Sequence, residues 1–106
     1  DFADSSTITG VRESSHTADQ ALYMLNNPFV IQQSAVMADH VQQLTSNQED
    51  QITEAFNRVY SRNPTSTEHS ASMAFLAAWQ QKDSDKSALQ ALCQSLFASA
   101  EFRFVD

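Results

Sequence analysis

Glycine occurs once in the 106 residues and proline twice. The chain therefore has few of the residues that tight turns demand, which argues for helices over an array of short strands. Cysteine also occurs once, at Cys93, so neither an intrachain disulfide nor a cysteine-based zinc site can form. Lysine and arginine total 6 against 13 aspartates and glutamates, a net charge of -7. A phosphate-binding surface needs concentrated positive charge, so nucleic acid and anionic membrane are not expected partners. No apolar run approaches the roughly 20 residues that span a bilayer, so no membrane insertion is expected, and no signal-peptide core is present. The chain opens at Asp1 without an initiator Met and is expected to be a fragment excised from a larger protein.

The catalytic motifs are missing as well. There is no Gly-x-Ser-x-Gly elbow, and one glycine cannot build a phosphate-cradling loop. His16, His40 and His69 do not share helical ligand spacing and have no partner cysteine, so they read as structural or surface histidines. Without Cys-x-x-Cys-His this chain holds no covalent haem. Glu49, Asp50 and Glu54 fall near a helix start, where acids favour the helix dipole. No catalytic, cofactor-binding or metal-binding residue is assigned.

What is present is helical periodicity, clearest between residues 51 and 79. Ile52, Ala55, Phe56, Val59 and Tyr60 follow the i, i+3, i+4, i+7, i+8 spacing of one helix face. Ser72, Met73, Leu76 and Trp79 form a second such face. Pro64 pushes Asn63 out of the α region and ends the first helix near Arg62. Thr65 and Glu68 have capping-box spacing and start the second. So short a connection folds the two helices into a hairpin.

The remaining elements follow the same signals. Residues 1–16 are Ser-, Thr- and Asp-rich and read as an extended or partly disordered arm, with a turn at Gly10. Thr17 is expected to cap a short helix reaching Leu25. Asn27 caps the next helix with Pro28 at its first position, and a stripe of Val30, Met37, Val41 and Leu44, helped by Phe29 and Val36, is expected inside. Ser46 and Glu49 are expected to form a further capping box. The helix after Thr65, apolar on two sides, is placed centrally. After a cap at Asp83 or Ser84, a last helix carries Leu89, Leu92, Cys93, Leu96 and Phe97. Phe102, Phe104 and Val105 then alternate with charges as an extended tail. The reading is all-α: a bundle of four main helices plus a short leading helix, forming one domain over 17–106. Phe56, Val59, Met73, Leu76, Leu92, Leu96 and Phe97 are its expected core.

Three segments carry a resemblance. Gln20-Ala21-Leu22 followed by Leu25-Asn26-Asn27-Pro28-Phe29-Val30 resembles a "QAL…LNxPFV" pattern. Ser61-Arg62-Asn63-Pro64-Thr65 with Glu68 resembles "GRxPTxxE". Leu92-Cys93-Gln94 through Glu101-Phe102 and Val105-Asp106 resembles "LCQxLLNSNEFxxVD". These are patterns of the planctomycete-type domain of unknown function, the PSD-one family. The sequence departs from them at Ser61, where the pattern has Gly, and at Ala98 and Ala100, where it has Asn. Gly10-Val11-Arg12 is only loosely similar to the family's Cys-Gly-Arg. The resemblance implies a domain closing a large exported or periplasmic protein, whose parent carries haem c in a separate cytochrome c module. It supplies no catalytic residues.

Two functional readings follow. One is a helical scaffold or protein-interaction module that packs on upstream domains of the same chain and self-associates weakly in isolation. Asn26, Asn27 and Arg62 are its candidate surface residues, with Arg62 expected to bond the last carbonyls of its own helix. The other is an accessory part of an enzyme active site whose catalytic residues lie upstream. A single apolar patch favours the first reading and a polar cleft the second.

Overall fold

The computed structural model describes Tyr23 and residues 25–105, the last five as backbone alone. The expected arm of residues 1–16 and nearly all of the leading helix lie outside this range. Tyr23 and Leu25 are helical within it.

Four helices follow: α1 (Pro28–Leu44), α2 (Gln48–Tyr60), α3 (Ser66–Gln80) and α4 (Asp85–Val105). Each begins where a side-chain oxygen satisfies N–H groups that a helix start leaves unpaired. At α1, Asn27 Oδ1 accepts from Phe29 N–H (2.8 Å) and Val30 N–H (3.4 Å), with Pro28 at the first position. Thr65 Oγ1 accepts from Glu68 N–H (3.1 Å) at α3, and Glu68 Oε1 accepts from Thr65 N–H (2.8 Å), completing the capping box. Ser84 Oγ accepts from Ser87 N–H (3.1 Å) at α4. The start of α2 differs from expectation by one residue: Asn47, not Ser46, is the cap, and its Oδ1 accepts from Asp50 N–H at 2.9 Å. Asn and Ser cap about equally well. Here the link from α1 decides, because Thr45 Oγ1 accepts from Asn47 N–H (3.1 Å) and holds Asn47 at the helix entry.

The packing centre is α4, not α3. It touches α1, α2 and α3, whereas α1 and α3 do not meet among the described residues. Ala88, Leu89, Leu92, Cys93 and Leu96 of α4 are buried with Ala38, Val41, Ile52, Ala55, Phe56 and Leu76. Each fully buried leucine contributes roughly 1.5–3 kcal/mol. In α3 only Ser72 and Leu76 are buried; of its second apolar side, Ala71 and Phe75 pack partly buried at the core's edge, while Ala74, Ala77 and Ala78 face solvent. Val59 and Met73 pack at the core's edge, and Phe97 is only half-buried. The alternation after Ala100 does not stop the helix, whose backbone continues to Val105. No Gly or Pro interrupts it there.

The stripe on α1 is the clearest correction. Its buried residues are Val30, Ser34, Ala38 and Val41, with Met37 partly buried. Phe29, Val36 and Leu44 are exposed. The small side chains Ser34 and Ala38 let α1 settle closely on α4, where Ala88, Ala91 and Ser95 are also small and buried. Ser34 is accommodated because its hydroxyl donates to Val30 C=O at 2.7 Å.

Candidate functional site

The turn between α2 and α3 is built from bonds that close on themselves. Ser61 ends α2 in the left-handed region, at φ 59° and ψ 33°. Arg62 then reaches forward to Glu68, with Nη1 donating to Oε1 and Nη2 to Oε2, each at 2.8 Å. Nη1 also donates to Asn63 C=O at 3.0 Å. The guanidinium lies 5.3 Å from the Tyr60 ring centroid and 5.9 Å from that of Phe56, within cation–π range. Its hydrogen bonds to Glu68 hold the Arg62 pKa above its ordinary value. Reciprocally, the Arg62 bonds hold Glu68 below the usual carboxylate range, against the opposing effect of burial. Asn57 Nδ2 donates to Asn63 Oδ1 at 2.7 Å and completes the turn. Arg62 thus bonds a carbonyl of the turn and a side chain six residues ahead, where the last carbonyls of α2 were expected.

The other two candidates sit at the entry to α1. Asn26 is exposed, and its N–H bonds Tyr23 C=O at 3.2 Å. Asn27 is occupied as the α1 cap. Gln94 of α4 donates from Nε2 to Leu25 C=O, anchoring this entry to the central helix. Asn27 and Arg62 therefore have separate local roles and do not form a shared binding set.

Two surface features were not anticipated. The first is the outer flank of α1. Phe29 is 65% exposed, Val36 47% and Leu44 61%, and their i, i+7, i+15 spacing places them on one face of a 3.6-residue helix. Sequence periodicity had counted these residues inside.

The second feature is a polar cleft of about 470 Å³, where α1 and α3 end and α2 and α4 begin. Gln42, Gln48, Gln51 and Gln80 line it over a floor of Leu76 and Leu89. Ser46 and Asp85, both exposed, stand at its edge. Gln51 Nε2 donates to Thr45 C=O (2.9 Å), which ties that side chain to the link. Scattered glutamines carry no period, so nothing in the sequence indicated that they converge.

A shallower recess at the hairpin is lined by Thr53, Pro64, Thr65 and His69. His40 is exposed. Among the described residues no three His, Cys, Asp or Glu side chains are placed to hold a metal ion. None of the helices described is long and apolar enough to cross a membrane.

Comparison with known proteins returns one family. Its model, described as PSD1, protein of unknown function (DUF1553), matches residues 1–76. The match takes in α1, α2 and α3 as far as Leu76, and includes the first two of the three resembling segments. The segment from Leu92 lies beyond it. No curated protein and no solved structure matches the chain.

Proposed function

The chain belongs to the PSD1 family of proteins of unknown function, and from that premise we propose that it serves as a helical scaffold and protein-interaction module. The observation that carries this reading is the outer flank of α1. Phe29, Val36 and Leu44 stand exposed in line on a domain whose net charge is -7. Apolar side chains exposed along one helix face, with Gln33 and His40 between them, offer a place for another surface to cover. The occupant on this reading is an adjoining domain of the same exported protein, and haem c belongs to a different part of that protein.

The reading is tested by sedimentation over a concentration series with the wild-type chain and with Phe29→Ser/Leu44→Ser. Weak self-association of the wild type through the uncovered flank is expected. In the variant it should disappear while the melting temperature holds, because both side chains are exposed. A wild type that stays monomeric throughout, or a variant that associates equally, overturns it.

One observation favours the second reading, that the domain completes an active site carried elsewhere: the cleft lined by four glutamines is polar and half-enclosed. A structure of a longer chain distinguishes them. The adjoining domain covers the α1 flank under the first reading and the cleft under the second.

A further inference from the structure

The cleft at the α1–α2 and α3–α4 junctions has a chemistry of its own. Gln42, Gln48 and Gln80 are half-buried there, and their side chains have no hydrogen-bond partner among the described residues. All three are part-exposed, so water takes their bonds in the free protein, and a ligand entering the recess must replace those bonds with its own. The recess, about 470 Å³, is within the range of small-molecule sites.

The lining restricts what fits. It contains no Lys, Arg or His, and its one charged group is the carboxylate of Asp85. An anionic ligand therefore finds no counter-charge and is repelled, while an apolar ligand would leave the amides unpaired. Each carboxamide offers a donor NH₂ beside an acceptor oxygen. A hydroxyl likewise both donates and accepts, so two neighbouring hydroxyls match one carboxamide. Asp85 and Ser46 add an acceptor and a further hydroxyl at the edge. Leu76 and Leu89, each 1% exposed, only close the base of the cleft, and it is the methylenes of the glutamine side chains that complement a face of C–H groups. Hydroxyls around a C–H face describe a neutral sugar. We propose that this cleft is a binding site for a neutral saccharide, with Gln42, Gln48 and Gln80 as its hydrogen-bonding residues. The inference concerns a surface separate from the α1 flank and does not depend on it.

The experiment is a titration of the ¹⁵N-labelled full chain, followed through the glutamine side-chain NH₂ signals. The probes are neutral disaccharides of glucose, galactose, mannose and N-acetylglucosamine, a uronic-acid disaccharide, and triglycine amide. At least one neutral disaccharide is expected to shift the Gln42, Gln48 and Gln80 signals saturably in the millimolar range. The uronic-acid disaccharide should leave them in place. Gln48→Leu/Gln80→Leu should weaken binding roughly tenfold or more at an unchanged melting temperature. If that variant fails to fold, Gln80→Glu, which brings a second carboxylate into the cleft, is expected to weaken binding of the neutral sugar. The proposal is overturned if no neutral disaccharide moves these signals at tens of millimolar. Equal shifts with the uronic-acid disaccharide, or saturable shifts with triglycine amide alone, overturn it too.

Discussion

Replacing Glu68 by glutamine separates two roles that one side chain performs. Glu68 Oε1 accepts from both Thr65 N–H and Arg62 Nη1, and Oε2 accepts from Arg62 Nη2. In Glu68→Gln the amide keeps one oxygen for the capping box and turns an NH₂, which cannot accept, toward the guanidinium. The loss is then the charged half of the pair. Exposed ion pairs contribute about 0–1 kcal/mol. The upper half of that range applies here, because the contact is bidentate and the Glu68 side chain is only 15% exposed, though Arg62 is 41%. A cost of about 0.5–1 kcal/mol is expected, or a melting temperature lower by about 2–8 °C in a domain this small. Glu68→Ala also removes the capping-box arm and should cost about 1–2 kcal/mol.

The pH dependence gives the sharper test. Glu68 is held below its ordinary range by its Arg62 bonds. Its contribution is therefore complete above the unfolded carboxyl value of about 4.3 and is lost as pH falls through the lower folded value. Urea denaturation of wild type and Glu68→Gln from pH 7 to pH 3 should show a constant difference down to about pH 4.5, shrinking below it. Taking differences cancels the other carboxylates. A variant as stable as wild type at pH 7, or a difference that stays flat to pH 3, would show that the Arg62–Glu68 contact contributes nothing in solution.

Three further outcomes follow from burial and backbone geometry. Leu92 is fully buried on the central helix, so Leu92→Ala should cost ~2–5 kcal/mol in urea denaturation; a loss below ~1 kcal/mol would remove α4 from the centre. Ser61 has a positive φ of 59°, so Ser61→Gly should leave stability unchanged or raise it by up to about 1 kcal/mol, while Ser61→Val should lower it. Burial pushes the Cys93 thiol up to about 12, so native protein at pH 8 should resist a disulfide reagent until urea opens it. Because the folded value is raised, this group's contribution to stability is complete below its unfolded value of about 8.5 and declines as pH rises beyond it. Labelling of native Cys93 at the rate of a free thiol would contradict its burial.

The caps were legible because each is a local event. Asn27 with Pro28, and Thr65 with Glu68 after Pro64, need only neighbours within four residues to satisfy the first N–H groups of a helix. The Asn47 cap was displaced by one residue for a similarly local reason, since two adjacent residues could fill the role. Arg62 was identified as the polar residue of the hairpin, but its partner lies beyond the turn on α3. Helix spacing along α2 does not point there. The glutamine cleft draws on the ends of all four helices, and no periodic pattern records such a meeting.

Composition and periodicity by themselves determined that the described residues are helical, where the helices break between Asn26 and Asp85, and that the α2–α3 connection is a hairpin. Scarce glycine and proline and strong N-caps act within a turn or two of chain, so they need no tertiary partner. Which faces are buried was decided only by packing. Large side chains such as Phe29, Val36 and Leu44 looked interior by hydrophobicity. The close approach of α1 to α4 instead selected the small Ser34 and Ala38 for the seam and turned the larger groups outward. The central place of α4 over α3 has the same origin. Alanine counts as apolar in a pattern, but Ala74, Ala77 and Ala78 bury little area. The leucines of α4 bury much more, and helices pack where the larger area leaves water.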